Sequence, residues 1–175
     1  SDLINLSAAV LFATHSSLGV LDLGATKTVI GSEHVSDLIH GLQPSTRQKL
    51  YRCSCEITFR FGNQGTLTSS QALVVPVGDF HLKVAIVPGS TPFLISNTMM
   101  RALQANIDCH NQRLSSPWFK NPVPLQLTNK GLFLVDLNDM IQAADSTNPK
   151  SSKVSAKTGT CHETFASEEI GRAHV

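Results

Sequence analysis

Residues 53–77 restrict the fold of this chain more than any other stretch. Cys53, Cys55, Ile57, Phe59 and Phe61 fall on one side of an extended backbone, and Ser54, Glu56, Thr58 and Arg60 fall on the other. Alternation at period two specifies a half-buried strand, because successive side chains of a strand point to opposite faces. Gly62, Asn63, Gln64 and Gly65 follow, and the β-branched run from Thr66 to Val77, closed by Pro76 and Gly78, brings the chain back. The pattern predicts a long hairpin with a glycine-flanked tip and a mainly β fold.

The flanking segments continue in the same style. Phe80 to Val87 alternates as a third strand, with Leu82, Val84 and Ile86 set against His81, Lys83 and Ala85. Pro88-Gly89-Ser90-Thr91-Pro92 breaks it, and Phe93-Leu94-Ile95 forms a short, fully apolar strand. Ser96 is placed to cap a helix over Thr98 to Ala105, with Met99, Met100 and Leu103 at helical spacing on its core face. The stretch from Asn106 to Pro124 reads as loop-rich, with Trp118 and Phe119 as a loop anchor tucked onto the core. A second hairpin, Leu125-Gln126-Leu127 with Leu132 to Val135, turns through Asn129-Lys130-Gly131. Near the start, Leu3 to Phe12 reads as a strand, and Ser32 to His40 as a short helix stopped by Gly41. The composition turns polar near Asp145, so residues 1–140 are expected to form one domain and 141–175 a disordered tail or linker.

The remaining stretch, Gly19 to Gly31, is where chemistry is expected. Leu18 to Leu21 is an apolar strand that delivers Asp22, and Leu23, Gly24 and Ala25 form the turn after it. An acid where a buried strand opens is partly desolvated, and a neighbouring glycine lets another chain approach its carboxylate closely. The bland reading of the same residues is a turn-capping acid, since Asp-x-Gly is common in turns.

Composition sets limits. With 175 residues the chain holds one ordinary core, and a formal charge of +1 gives no field that favours direct nucleic-acid binding. No apolar run approaches the roughly 18 residues that cross a bilayer, so no membrane partner is expected. The four cysteines, Cys53, Cys55, Cys109 and Cys161, show no secreted-scaffold spacing and no charged-then-apolar leader precedes them, which reads as an intracellular, reducing setting. Cys53 and Cys55 share a strand face without the second pair a zinc site requires, so they read as core, and no metal ligands are assigned.

A strand ending in an acid and glycine, a long glycine-tipped hairpin, and an apolar strand leading into a short helix resemble, in that order, the aspartic proteases of retroviruses and copia-type retrotransposons. The resemblance is carried by Val20-Leu21-Asp22-Leu23-Gly24-Ala25 with Thr28-Val29-Ile30, by Phe59-Arg60-Phe61-Gly62-Asn63, and by Pro92-Phe93-Leu94-Ile95-Ser96 before Met99 to Leu103. Gly131-Leu132-Phe133-Leu134-Val135-Asp136-Leu137 is similar to the end of copia-type protease segments. It implies a retropepsin-like closed β-barrel with one short C-terminal helix per subunit. It also implies a homodimer in which each subunit contributes Asp22, and a polyprotein substrate cut in the cytoplasm or within a virus-like particle. Asp22 would be catalytic, Leu23, Gly24 and Ala25 would shape its loop, and Gly62, Asn63, Gln64 and Gly65 would form a flap, with no cofactor. The chain departs from the family at Leu23, where Thr or Ser is usual, and at Ser96, where glycine is usual.

Two other readings stand beside this one. Asp22-Leu23-Gly24-Ala25-Thr26-Lys27-Thr28 is also similar to the first phosphate loop of actin-fold sugar kinases, although the helical pattern from Ser32, the missing second phosphate loop and the short length count against it. The other is an interaction domain that keeps the protease fold without the chemistry.

Overall fold

The computed structural model describes residues 17–60 and 65–145. Its strands are β1 (Leu18–Asp22), β2 (Val29–Gly31), β3 (Tyr51–Arg60), β4 (Thr66–Val77), β5 (Phe80–Val87), β6 (Leu94–Ser96), β7 (Asn106–Asp108), β8 (Arg113–Ser115), β9 (Val123–Leu127) and β10 (Phe133–Asp136). Four helices, α1 (Val35–Gly41), α2 (Pro44–Arg47), α3 (Asn97–Ala102) and α4 (Leu137–Asp145), accompany them, and a single 3-10 turn, Ser32–His34, leads into α1. The fold is mainly β. All ten strands join one ladder in the order β3-β4-β5-β2-β6-β1-β10-β9-β8-β7. The ladder is open, with β3 and β7 at its ends, so the expected closure into a barrel is not seen among the described residues.

The hairpin has the limits its pattern predicts. Tyr51 to Ser54 pair with Val74 to Gln71, and Ile57 to Arg60 pair with Ser69 to Thr66, with a register shift between the two halves. Only the inner half of β4 is braced by β5, from Gln71 opposite Ile86 to Val77 opposite Phe80. The outer half is therefore a two-stranded ribbon.

The ribbon's role in packing explains the apolar runs in the centre of the sheet. One face of the sheet packs Leu21, Ile30, Leu73, Val75, Leu82, Val84 and Ile95 against Val35, Leu38, Met100, Met140, Ile141 and Ala144 of the helices. The other face packs Leu18, Val20, Val29, Ala85, Val87, Leu94 and Leu134 against Cys55, Ile57 and Phe59 of the outer ribbon. Strands covered on both sides read as continuous apolar segments, as β1, β2 and β6 do. This also explains why Ala85 is as buried as Val84, its neighbour on the opposite face.

Several expectations need adjusting. The loop-rich stretch contains β7 and β8, which pair with each other, and β8 goes on to pair with β9. Trp118 and Phe119 do anchor that segment: Phe119 is buried, and the Trp118 ring meets Phe80 edge-on at 5.4 Å. Neither α2 nor α4 is among the expected elements. A domain end at 140 would fall inside α4, whose Ile141 and Ala144 are buried beyond that point. The predicted strand over Leu3 to Phe12 and most of the expected tail lie outside the described residues. Among the described residues, no helix is long and apolar enough to cross a membrane.

α4 is tied down through Asn138. Its side-chain oxygen accepts from the Gln43 amide at 3.1 Å, and its side-chain nitrogen donates to the Gly41 carbonyl at 2.8 Å. The two bonds close the α1–α2 junction onto the last helix. Asn138→Ala is expected to cost about 1–2 kcal/mol by removing both. A urea midpoint that does not move would show that water replaces the two bonds fully.

Candidate functional site

Asp22 is the last residue of β1, flanked on one side by β6 in parallel register and on the other by β10 in antiparallel register. Val20 lies opposite both Leu94 and Leu134, and beyond it Leu21 and Asp22 are paired with β6 alone. Asp22 itself is half-buried and pairs in register with Ser96. The chain then turns sharply. The Ala25 amide donates to the Asp22 carbonyl at 3.1 Å, and the Gly24 amide donates to Asp22 Oδ1 at 3.2 Å. An Asx contact inside a β-turn accounts for the Asp-x-Gly spacing. Asp22 stays partly exposed, and Leu23 and Gly24 after it are exposed.

Leu23 retains 50 % of its surface, a value matched among large apolar residues by Leu127. A leucine at the apex of a turn beside a half-exposed acid thus keeps half of its apolar surface in solvent. Gly24 is likewise unconstrained from within: a Cβ there would meet Asp22 Oδ1 at an ordinary 3.5 Å.

The far side of the loop is held by two buried hydroxyls. The Asn97 amide donates to the Ala25 carbonyl at 2.9 Å, and the Ser96 amide donates to Thr28 Oγ1 at 3.1 Å. Thr28 and Ser96 share a further hydroxyl–hydroxyl bond at 3.0 Å, while Ser96 Oγ accepts from the Met99 amide at 3.1 Å as the α3 cap. Each is 1 % exposed. Ser96 thus caps α3 and braces the Asp22 loop with one hydroxyl. The capping role was legible from the apolar run followed by serine. The partnership with Thr28 was not, because 68 residues separate them.

A second contact missed from sequence joins the loop to the hairpin. Lys27 Nζ donates to the Thr58 carbonyl at 2.9 Å and lies 4.6 Å above the Phe59 ring centroid. Within the chain this lysine therefore faces the hairpin.

Of the predicted flap residues, Gly65 is exposed at the start of the returning strand, and Gly62, Asn63 and Gln64 lie outside the described residues. Cys55 sits at the register shift of the hairpin. Burial pushes its thiol up, and the Ser69 hydroxyl at 3.6 Å opposes this only in part, so it is suited to packing more than to nucleophilic chemistry. Among the described residues, no group of three or more His, Cys, Asp or Glu side chains could hold a metal ion. Set against protein-family models, curated proteins and solved structures, the chain shows no match.

Proposed function

We propose that this chain is an aspartic endopeptidase of the retropepsin type, acting as a homodimer on a retroelement polyprotein. The observation that carries the reading is the placement of Asp22: a half-buried acid at the end of an interior strand, on a turn braced from behind by Thr28 and Ser96 and open in front at Leu23 and Gly24. One chain supplies one such acid, and a two-fold axis past the loop supplies the other. Two carboxylates about 3 Å apart do not both ionise at low cost, so the pair shares a proton and titrates as a unit. The ionised member takes a proton from water as the water attacks the peptide carbonyl. The protonated member polarises the carbonyl oxygen, and the first then protonates the leaving amine. The hairpin beside the loop supplies the wall along which an extended peptide lies, and no cofactor enters the reaction.

The test is cleavage of a peptide library by the chain and by Asp22→Asn, across about pH 4 to 7. Sedimentation is run alongside. Activity that survives in Asp22→Asn sinks the aspartic mechanism, and specific ATP binding would favour the phosphate-loop reading instead.

One observation favours a second reading, an interaction domain without catalysis. Leu23 offers no donor where a hydroxyl usually braces the paired loops, and its exposed side chain suits an apolar contact. A soluble, inactive dimer would support it. Leu23→Thr separates the two: under the protease reading it tightens the dimer, because a cross-subunit hydroxyl bond is worth about 0.5–1.5 kcal/mol net and symmetry supplies it twice. An unchanged dissociation constant would mean that the loops do not meet at this residue.

A further inference from the structure

We infer that Lys27 is a positioning residue that ties the Asp22 loop to the outer half of the β3–β4 hairpin. It fixes how far that ribbon stands from the acid. The tie follows from contacts within this chain; its effect on substrate rests on the peptidase reading above.

The geometry has three parts. Lys27 lies between Ala25 and Thr28, the two residues anchored to the start of α3 and the end of β6, so its backbone belongs to the rigid part of the loop. Its ammonium reaches across to β3, donating to the Thr58 carbonyl at 2.9 Å and lying over the Phe59 ring at 4.6 Å. β3 is the end strand of the ladder, so the Thr58 carbonyl is not taken by a further strand on that side. A cation placed over an aromatic face and bonded to a carbonyl is held in both direction and distance.

The ribbon needs such a tie. β5 braces β4 only from Gln71 onward, and the register shift between Ser54 and Ile57 separates the braced half of the hairpin from the unbraced half. A bulge bends a strand locally and weakens the ladder there. Outside that bend, the described part of the ribbon is held to the body by the apolar contacts of Ile57, Phe59 and Leu67 and by Lys27. Apolar contact is non-directional, so it leaves sliding and rocking cheap. The lysine adds direction, and it does so from the same loop that presents Asp22, five residues along. Acid and hairpin wall are thereby held in one frame.

Hydrogen exchange on the full chain tests this, comparing Lys27→Met with Lys27→Arg. Methionine keeps the apolar stem and removes the donor, while arginine keeps both a donor for Thr58 and a plane to stack on Phe59. In Lys27→Met, amides of residues 57–59 and 67–69 are expected to exchange about tenfold faster, with 72–75 and 83–86 unchanged and Lys27→Arg close to the parent. Unchanged exchange in the outer ribbon, or equal acceleration in both halves, overturns the proposal. On a cleaved peptide, Lys27→Met is expected to raise KM several-fold with a smaller change in kcat, and arginine to restore it. A parent-like KM in Lys27→Met overturns the positioning role. If the parent chain cuts no peptide, the peptidase reading falls, and the exchange comparison alone decides the tie.

Discussion

Asp22→Asn is expected to abolish peptide cleavage, with a loss of roughly 10²- to 10⁴-fold, the usual weight of a positioned proton donor and acceptor. The substitution is nearly isosteric, and the hydrogen bond the acid accepts among the described residues, from the Gly24 amide to Oδ1, needs only an oxygen that asparagine retains. Fold and dimerisation should therefore survive, which makes the result interpretable. In a homodimer the change removes both carboxylates at once, so no ionised partner remains to activate water. The parent should show a bell-shaped dependence of kcat/KM on pH, whose two limbs belong to the pair and not to either residue. A single-limbed profile, or an Asp22→Asn variant within a few-fold of the parent, would remove the dyad from consideration.

Gly31→Ala is expected to be the most damaging single substitution in the described core. Gly31 ends β2, and its amide donates to the Thr91 carbonyl at 2.7 Å while the chain at Gly89 crosses directly over it. A Cβ would fall against the Gly89 carbonyl oxygen and 2.5 Å from the Thr91 nitrogen, both backbone atoms that cannot rotate away. Overpacking of this kind with loss of the bond costs about 2–5 kcal/mol, against a typical total of about 5–15. For a domain of this size that lowers the melting temperature by roughly 10 °C. Gly24→Ala serves as the control, since its Cβ has room within the chain, and it should melt within a degree or two of the parent. Equal melting of Gly31→Ala and the parent would mean that the 89–91 segment does not lie where described.

What could be read in the sequence follows from where periodicity survives. The hairpin was legible because β3 keeps one face in solvent, so Arg52, Ser54, Glu56, Thr58 and Arg60 stay exposed while Cys55, Ile57 and Phe59 are buried. The limits of β4 and β5 were marked by Pro76, Gly78 and Pro88. β7 and β8 left no such trace, because three residues such as Asn106-Ile107-Asp108 hold barely one period. α4 was not legible as a helix because the polar composition that begins near Asp145 masks it, although Met140, Ile141 and Ala144 lie on one helical face. The turn at Asp22, Leu23, Gly24 and Ala25 was legible from local pattern alone. Their supports were out of reach, since Thr28 with Ser96 and Lys27 with Thr58 are pairs between distant residues, each locally unremarkable.

The position of β1 also governs when the site comes into being. Its neighbours in the ladder are β6 and β10, and the Ser17 hydroxyl bonds Asp136 across 119 residues of sequence. Pairings of such separation form late, because loop closure must precede any gain from the contact. On a ribosome, the strand that carries the acid emerges early but lacks one edge until residues 133–136 arrive. A nascent chain halted in the β9–β10 turn would therefore hold every residue of the acid loop and still lack the strand that pairs Leu18 to Val20. The second edge of β1 would then close only when β10 pairs with it.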